Sequence, residues 1–214
     1  MVSRSVIFWQ VDTQVDFMLP AGKLYVPGAE KLIPNINWLM DAARHGMVFV
    51  VGDACFHTPG DAEFKSFPPH CVRGTPGAEI IAEASTNRML VIPNRMDATI
   101  PEDLSTYQQV ILEKQTLDVF DNPNTETILK RVAKFTDAYA EIFMFGVVTE
   151  YCVRLAAIGL LQRGRRVSLV RDAIETLKAK DGEETIEELT SLGVQLITTE
   201  QALAALDQTR SQTA

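Results

Sequence analysis

The chain has 214 residues, 46% hydrophobic and 22% charged, with a formal net charge of −8 and a pI near 4.9. That length suits one substantial core, so residues 1–214 are read as one domain, and the acidity excludes a nucleic-acid partner, which would need a basic stripe. The three cysteines (Cys55, Cys71, Cys152) are too few and odd in number for a disulfide framework and indicate free thiols in a reducing cytoplasm.

The first apolar run, Val6–Val11, is too short for a signal segment or a membrane span and reads as a strand ending at Asp12. Ala29–His45 is predicted as a helix, with Ile33, Ile36, Met40 and Ala43 on one face and Gly46 as its stop. Met47–Gly52, Met89–Ile92 and Val110–Leu112 are continuous apolar strands. Thr125–Phe135 is predicted helical, Ala140–Val147 is the next strand, and Cys152–Arg163 is a helix closed by Gly164. Val167–Val170 is the sixth strand. Asp181 has the character of an N-cap for the helix that Gly193 closes. Val194–Thr198 is a candidate short strand, Glu200–Leu206 a last turn or two of helix, and 207–214 a frayed tail. Continuous apolar strands alternating with amphipathic helices indicate an α/β fold with a parallel sheet covered on both faces.

One region breaks this rhythm. Residues 53–78 hold Pro59, Pro68, Pro69 and Pro76, two of the three histidines and two of the three cysteines. A long irregular insert in a compact domain is commonly functional, and Phe56, Phe64 and Phe67 argue against disorder.

Functional residues of such folds gather at the carboxyl ends of strands. Asp12, Asp53, Lys114 and Cys152 all fall at or after predicted strand ends. An unpaired cysteine is most often a small buried hydrophobe. Cys152, however, stands where an apolar strand hands over to a helix start, a place that favours a thiolate. Asp12 is the candidate base and Lys114 the charge that holds thiol and carboxylate together. His57 and His70, with Asp53 or Cys55, are candidate metal ligands.

Four segments resemble the isochorismatase-like cysteine hydrolase superfamily, and within it nicotinamidases most. They are Val11-Asp12-Thr13-Gln14-Val15-Asp16-Phe17, the stretch Phe67-Pro68-Pro69-His70-Cys71 running on to Glu79, Glu113-Lys114, and Gly146-Val147-Val148-Thr149-Glu150-Tyr151-Cys152-Val153. Arg171-Asp172-Ala173 also matches. The resemblance implies a three-layer, Rossmann-like α/β fold, a six-stranded and mostly parallel sheet with helices on both faces, and a triad of Asp12, Lys114 and Cys152. It implies amide hydrolysis through a thioester on Cys152, and a cis peptide at Val147–Val148 that aims the Val148 and Cys152 amides at an oxyanion. It further implies a divalent metal (zinc first, iron or manganese as alternatives) on Asp53, His57 and His70, with no organic cofactor. Here the chain departs from the family pattern: in Asp53-Ala54-Cys55-Phe56-His57, either Cys55 replaces the family aspartate or two residues are inserted after Asp53. Phe17, Phe67 and Tyr151 are the expected substrate pocket. The partners implied are a small amide and further copies of the chain, as a homodimer or homotetramer.

Nicotinamide is the leading substrate on this reading. Another small amide or carbamoyl compound is the alternative. A vinyl-ether hydrolase is disfavoured by Cys152, and a non-catalytic binding protein by the intact Asp12, Lys114 and Cys152.

Overall fold

The computed structural model describes residues 4–211. Seven strands form one sheet: β1 (Arg4–Val11), β2 (Phe49–Cys55), β3 (Met89–Ile92), β4 (Gln109–Lys114), β5 (Thr136–Gly146), β6 (Val167–Ile174) and β7 (Gln195–Ile197), in the order β3-β4-β2-β1-β5-β6-β7. Every pairing is parallel. The expected count of six is therefore corrected to seven. The added strand is the short candidate after Gly193, which forms an edge where Leu196 stays exposed.

Helices cover both faces. They are the single turn α1 (Val15–Met18), then α2 (Ile33–Arg44), α3 (Thr125–Val132), α4 (Arg154–Gln162), α5 (Ala179–Ser191) and α6 (Thr199–Ser211). Side-chain alternation along the strands divides the core. Phe8, Val50 and Phe145 pack with Ile36, Met40 and Leu206 from α2 and α6. Trp9, Val51 and Met144 pack with Ile128, Leu160 and Leu189 from α3, α4 and α5.

Several boundaries differ from the sequence expectation. The helix expected from Ala29 begins as a 3-10 turn, Ala29–Leu32, and becomes α-helical at Ile33. Pro34 has no N–H to donate back to Glu30, so the regular bonding pattern starts only beyond it. Lys178, not Asp181, precedes α5, and Asp181 lies in its first turn, where a carboxylate faces the positive end of the helix dipole. The tail expected to fray from 207 is helical as far as Ser211, and the remainder of that expectation, 212–214, lies outside the described residues. No helix among the described residues is long and apolar enough to cross a membrane.

Candidate active site

The carboxyl ends of β1, β2, β4 and β5 are neighbours in the sheet, so residues far apart in sequence meet there. Asp12 follows β1 directly, with a left-handed backbone (φ 45°) and its N–H bonded to Asp53 O. Lys114 is the last residue of β4 and pairs with Cys55, the last of β2. Gly146 ends β5 with φ 118°, and a Cβ there would stand 1.9 Å from Val11 O. The absence of a side chain thus lets β5 close against β1 beside Asp12.

Cys152 follows six residues later. It does not open an α-helix as expected but lies inside a π-helical turn, Thr149–Val153, that leads into α4. Such wide turns expose backbone groups that a regular helix would use, and they recur at functional sites. The Val147–Val148 peptide is cis.

Lys114 is the hub. Its Nζ donates to Asp12 Oδ2 at 2.7 Å, to Cys55 Sγ at 3.0 Å and to Cys152 Sγ at 3.4 Å, entirely out of solvent. Burial alone would lower its pKa, but Asp12, the two thiols and Asp53 outweigh that and raise it, so the ammonium is retained. Burial pushes the Cys152 thiol well up, Lys114 pulls it down, and Asp12 and Cys55 push it up again. The balance favours the neutral thiol of Cys152, not the ready thiolate that its place in the sequence suggests.

Asp53 is placed differently from expectation. It lies within β2, two residues before the strand's end, and the strand runs on without a bulge to Cys55. Its Oδ2 accepts from Trp9 Nε1 at 3.0 Å and its Oδ1 lies 3.8 Å from Lys114 Nζ. Two strand residues span about 6.5 Å. Asp53 is not part of the group that Cys55 forms with the two histidines. Burial and the charge of Asp12 push its pKa up to about 8, opposed by Lys114 and Trp9.

Cys55, His57 and His70 do come together, with one ligand atom of each within 4.8 Å of the others. Both imidazoles are oriented by partners behind them. His57 Nδ1 lies 3.1 Å from Asp61 Oδ2 and His70 Nδ1 2.8 Å from Pro68 O. A carbonyl and a carboxylate only accept, so both Nδ1 atoms carry the proton and both Nε2 lone pairs face the cluster. His57 Nε2 is buried with no hydrogen-bond partner. Burial lowers both histidine pKa values, which keeps the rings neutral as ligands must be. This donor set fits a divalent metal that accepts sulfur and nitrogen, as zinc does. Glu63 Oε1 stands 3.8 Å from His57 Nε2 and 3.6 Å from His70 Nε2, a neighbour that sequence reasoning passed over.

The supporting residues come from the first two matching segments. Gln14 accepts from Cys55 N at 2.7 Å and donates to Cys55 O and Ala78 O. Asp16 accepts from Cys71 N at 2.7 Å and from Lys23 N at 3.0 Å. Arg73 holds Glu113 through two 2.7 Å bonds, tying the histidine-bearing loop to the strand that carries Lys114.

A small cleft, partly open to solvent, reaches these groups. Asp12, Cys55, Glu63, His70, Val148 and Cys152 line it, together with Phe17, Phe67 and Tyr151. Leu24, Leu117 and Leu177 complete the wall. Phe17 and Phe67 both stand edge-on to His70, and Phe67 to Tyr151, which gives the cavity flat aromatic faces.

Comparison with known proteins gives concordant matches. An isochorismatase domain model matches residues 7–109 and 89–201. The chain is 26% identical over 195 residues to the nicotinamidase/pyrazinamidase of Mycobacterium tuberculosis, covering 87% of this chain and 95% of that protein. It is 25% identical to the nicotinamidase of Saccharomyces cerevisiae, covering 76% and 84%. The pyrazinamidase of Pyrococcus horikoshii, solved in complex with zinc, superposes with a TM-score of 0.71 at 28% identity, covering 91% of this chain and 99% of that one. The N-carbamoylsarcosine amidase of Thermoplasma acidophilum shares the fold, with a TM-score of 0.69 at 22% identity over 90% and 95% of the two chains.

Proposed function

The chain belongs to the isochorismatase family, and we propose that it is a cysteine amidohydrolase with nicotinamide as its leading substrate. The observation that carries this reading is the contact of one buried ammonium, Lys114, with both Asp12 and Cys152, which line a cleft shared with Phe17, Phe67 and Tyr151.

On this reading Asp12 takes the proton of Cys152 as the sulfur attacks the amide carbonyl. Lys114 holds the new thiolate and the carboxylate in register. The N–H groups of Val148 and Cys152 receive the negative charge that develops on oxygen. Collapse of the tetrahedral adduct breaks the C–N bond, and Asp12 returns the proton to the departing ammonia. Water, its proton passed to Asp12, then cleaves the thioester and frees the carboxylic acid.

Cys55, His57 and His70 would hold a metal, with Glu63 beside them. Zinc suits this donor set, and iron or manganese are the alternatives. When bound, such an ion supplies a Lewis-acidic point that orients a ring nitrogen of the substrate. Phe17, Phe67 and Tyr151 flank the acyl group. The reading also carries a reducing cytoplasm, for which the three free thiols are the support, and, from the family resemblance alone, a homodimer or homotetramer.

A panel of small amides, assayed for ammonia release, tests the proposal. Nicotinamide should be among the best substrates, and Cys152→Ala should abolish release. Ammonia release by Cys152→Ala at the native rate would refute the covalent route. Better turnover of a carbamoyl compound than of any aromatic amide would move the substrate assignment to the alternative class.

A further inference from the structure

The turn that carries Cys152 also grips a second segment. Thr149 N and Oγ1 donate to Glu175 O at 2.9 and 2.8 Å. Glu150 Oε1 accepts from Leu177 N and Lys178 N, each at 3.0 Å, and its Oε2 from Thr176 Oγ1 at 2.5 Å. Two consecutive residues of the nucleophile turn therefore satisfy three backbone groups of 175–178, the connection between β6 and α5: Glu175 O, Leu177 N and Lys178 N. A carboxylate accepting from two backbone N–H groups makes charge-assisted bonds, the stronger kind. The segment is also confined from behind. A Cβ on Gly182 of α5 would stand 2.5 Å from Thr176 Oγ1, and one on Gly28 would stand 2.9 Å from the Glu175 carboxylate.

Leu177, held in this way, lines the cavity together with Leu24 and Leu117, whereas Glu150 is not part of the lining. A carboxylate two residues from the nucleophile thus faces away from the reacting atoms. It is spent on fixing one wall of the pocket relative to the sulfur. We propose that Glu150 is a positioning residue that straps 175–178 to the nucleophile turn, and that Leu177, so held, sets the size of the acyl group admitted beside Cys152. This rests on the amidohydrolase reading for its sizing role, though not for the strap itself.

Hydrogen exchange and amide turnover on the full chain test the two parts separately. In Glu150→Ala the amides of Leu177 and Lys178 should exchange at least about tenfold faster, since both lose their acceptor. In Glu150→Gln they should stay close to wild type, because one oxygen still accepts from both and the amide can donate to Thr176 Oγ1. Turnover is read with isobutyramide, nicotinamide and quinoline-3-carboxamide. Leu177→Ala should shift kcat/KM toward the quinoline amide, relative to nicotinamide, by about 10-fold or more, the scale of a few methylenes in a pocket. Glu150→Ala should raise KM for nicotinamide with kcat nearly kept, and Glu150→Gln should restore it. Unchanged exchange in Glu150→Ala would overturn the strap. Unchanged substrate ranking in Leu177→Ala would overturn the sizing role. If wild type releases ammonia from none of the three, the amidohydrolase reading fails and the sizing role with it, while exchange still decides the strap.

Discussion

Lys114 Nζ lies 2.7 Å from Asp12 Oδ2, and both side chains are sealed from solvent at the ends of strands that are not themselves neighbours. Removing one member of a buried pair strands the other's charge. Lys114→Ala should therefore cost about 3–5 kcal/mol in denaturant melts. Combining Asp12→Asn with Lys114→Met, which removes both charges, should recover much of that loss, and neither variant should turn over substrate. A double variant no more stable than Lys114→Ala would show that the pair is not what holds these strand ends.

The state of Cys152 predicts a pH profile. Burial and the facing Asp12 raise its thiol pKa against the pull of Lys114, so the thiolate is scarcer at neutral pH than for a free cysteine near 8.5. Alkylation by iodoacetamide, followed by peptide mapping, should be slow at pH 7 and still climbing at pH 9. A plateau below pH 8 would mean a preformed thiolate.

Asp53 predicts a second pH effect, on stability. Its folded pKa, about 8, lies above the value near 3.9 of an unfolded aspartate, so the folded chain binds the extra proton between them. The stability it lends is complete below pH 4 and is lost as pH rises toward 8. Asp53→Asn keeps an acceptor for Trp9 and removes the ionisation. Relative to wild type it should gain stability across that window, by up to about 1.4 kcal/mol per pH unit. Equal pH slopes for the two proteins would contradict this.

Zinc should separate Cys55 from Asp53 as a ligand. At free zinc near 100 times its dissociation constant, binding stabilises a folded protein by about 2.7 kcal/mol. Calorimetric melts should show such a shift in wild type and in Asp53→Asn, and lose it in Cys55→Ala and His70→Ala, with a chelator reversing it. A shift that survives Cys55→Ala but not Asp53→Asn would restore the original aspartate assignment.

Gly146 predicts a steric failure. Alanine there would place its Cβ 1.9 Å from Val11 O at a backbone angle that L-residues rarely adopt. The expected cost is at least about 3 kcal/mol, read from urea melts. A loss under 1 kcal/mol would show that β5 can withdraw from β1 without harm.

The core strands were legible because burial on both faces leaves continuous apolar runs, as in Phe49–Val51 and Val110–Leu112. Strand β7 was harder to read, since an edge strand of three residues has little hydrophobic pattern to display. Asp12, Lys114 and Cys152 stood out as polar residues at the ends of such runs. Asp53 stood out for the same reason, but β2 runs on past it to Cys55, and spacing in sequence does not show how far a strand continues. Glu63 and Leu177 carried no signal. One gains meaning only from a turn that folds back over two histidines, the other from a strap formed by Glu150. Gln14 and Asp16 lay inside a recognised motif, yet their work, bonding backbone groups some forty to sixty residues away, has no local signature.

The strand order has a consequence for how the protein is made. Strands β1 to β4 all lie on one side of the sheet with β1 outermost, and β5, β6 and β7 attach along its free edge. A growing chain that has emerged as far as Phe135 can assemble its first four strands but leaves β1, with the buried Phe8 and Trp9, as an uncovered template for pairing with other chains. Only the second half of translation covers that edge, and the same event delivers Cys152 to Asp12 and Lys114. The exposed edge is thus covered and the contacts of Lys114 with Asp12 and Cys152 are completed together, when β5 docks.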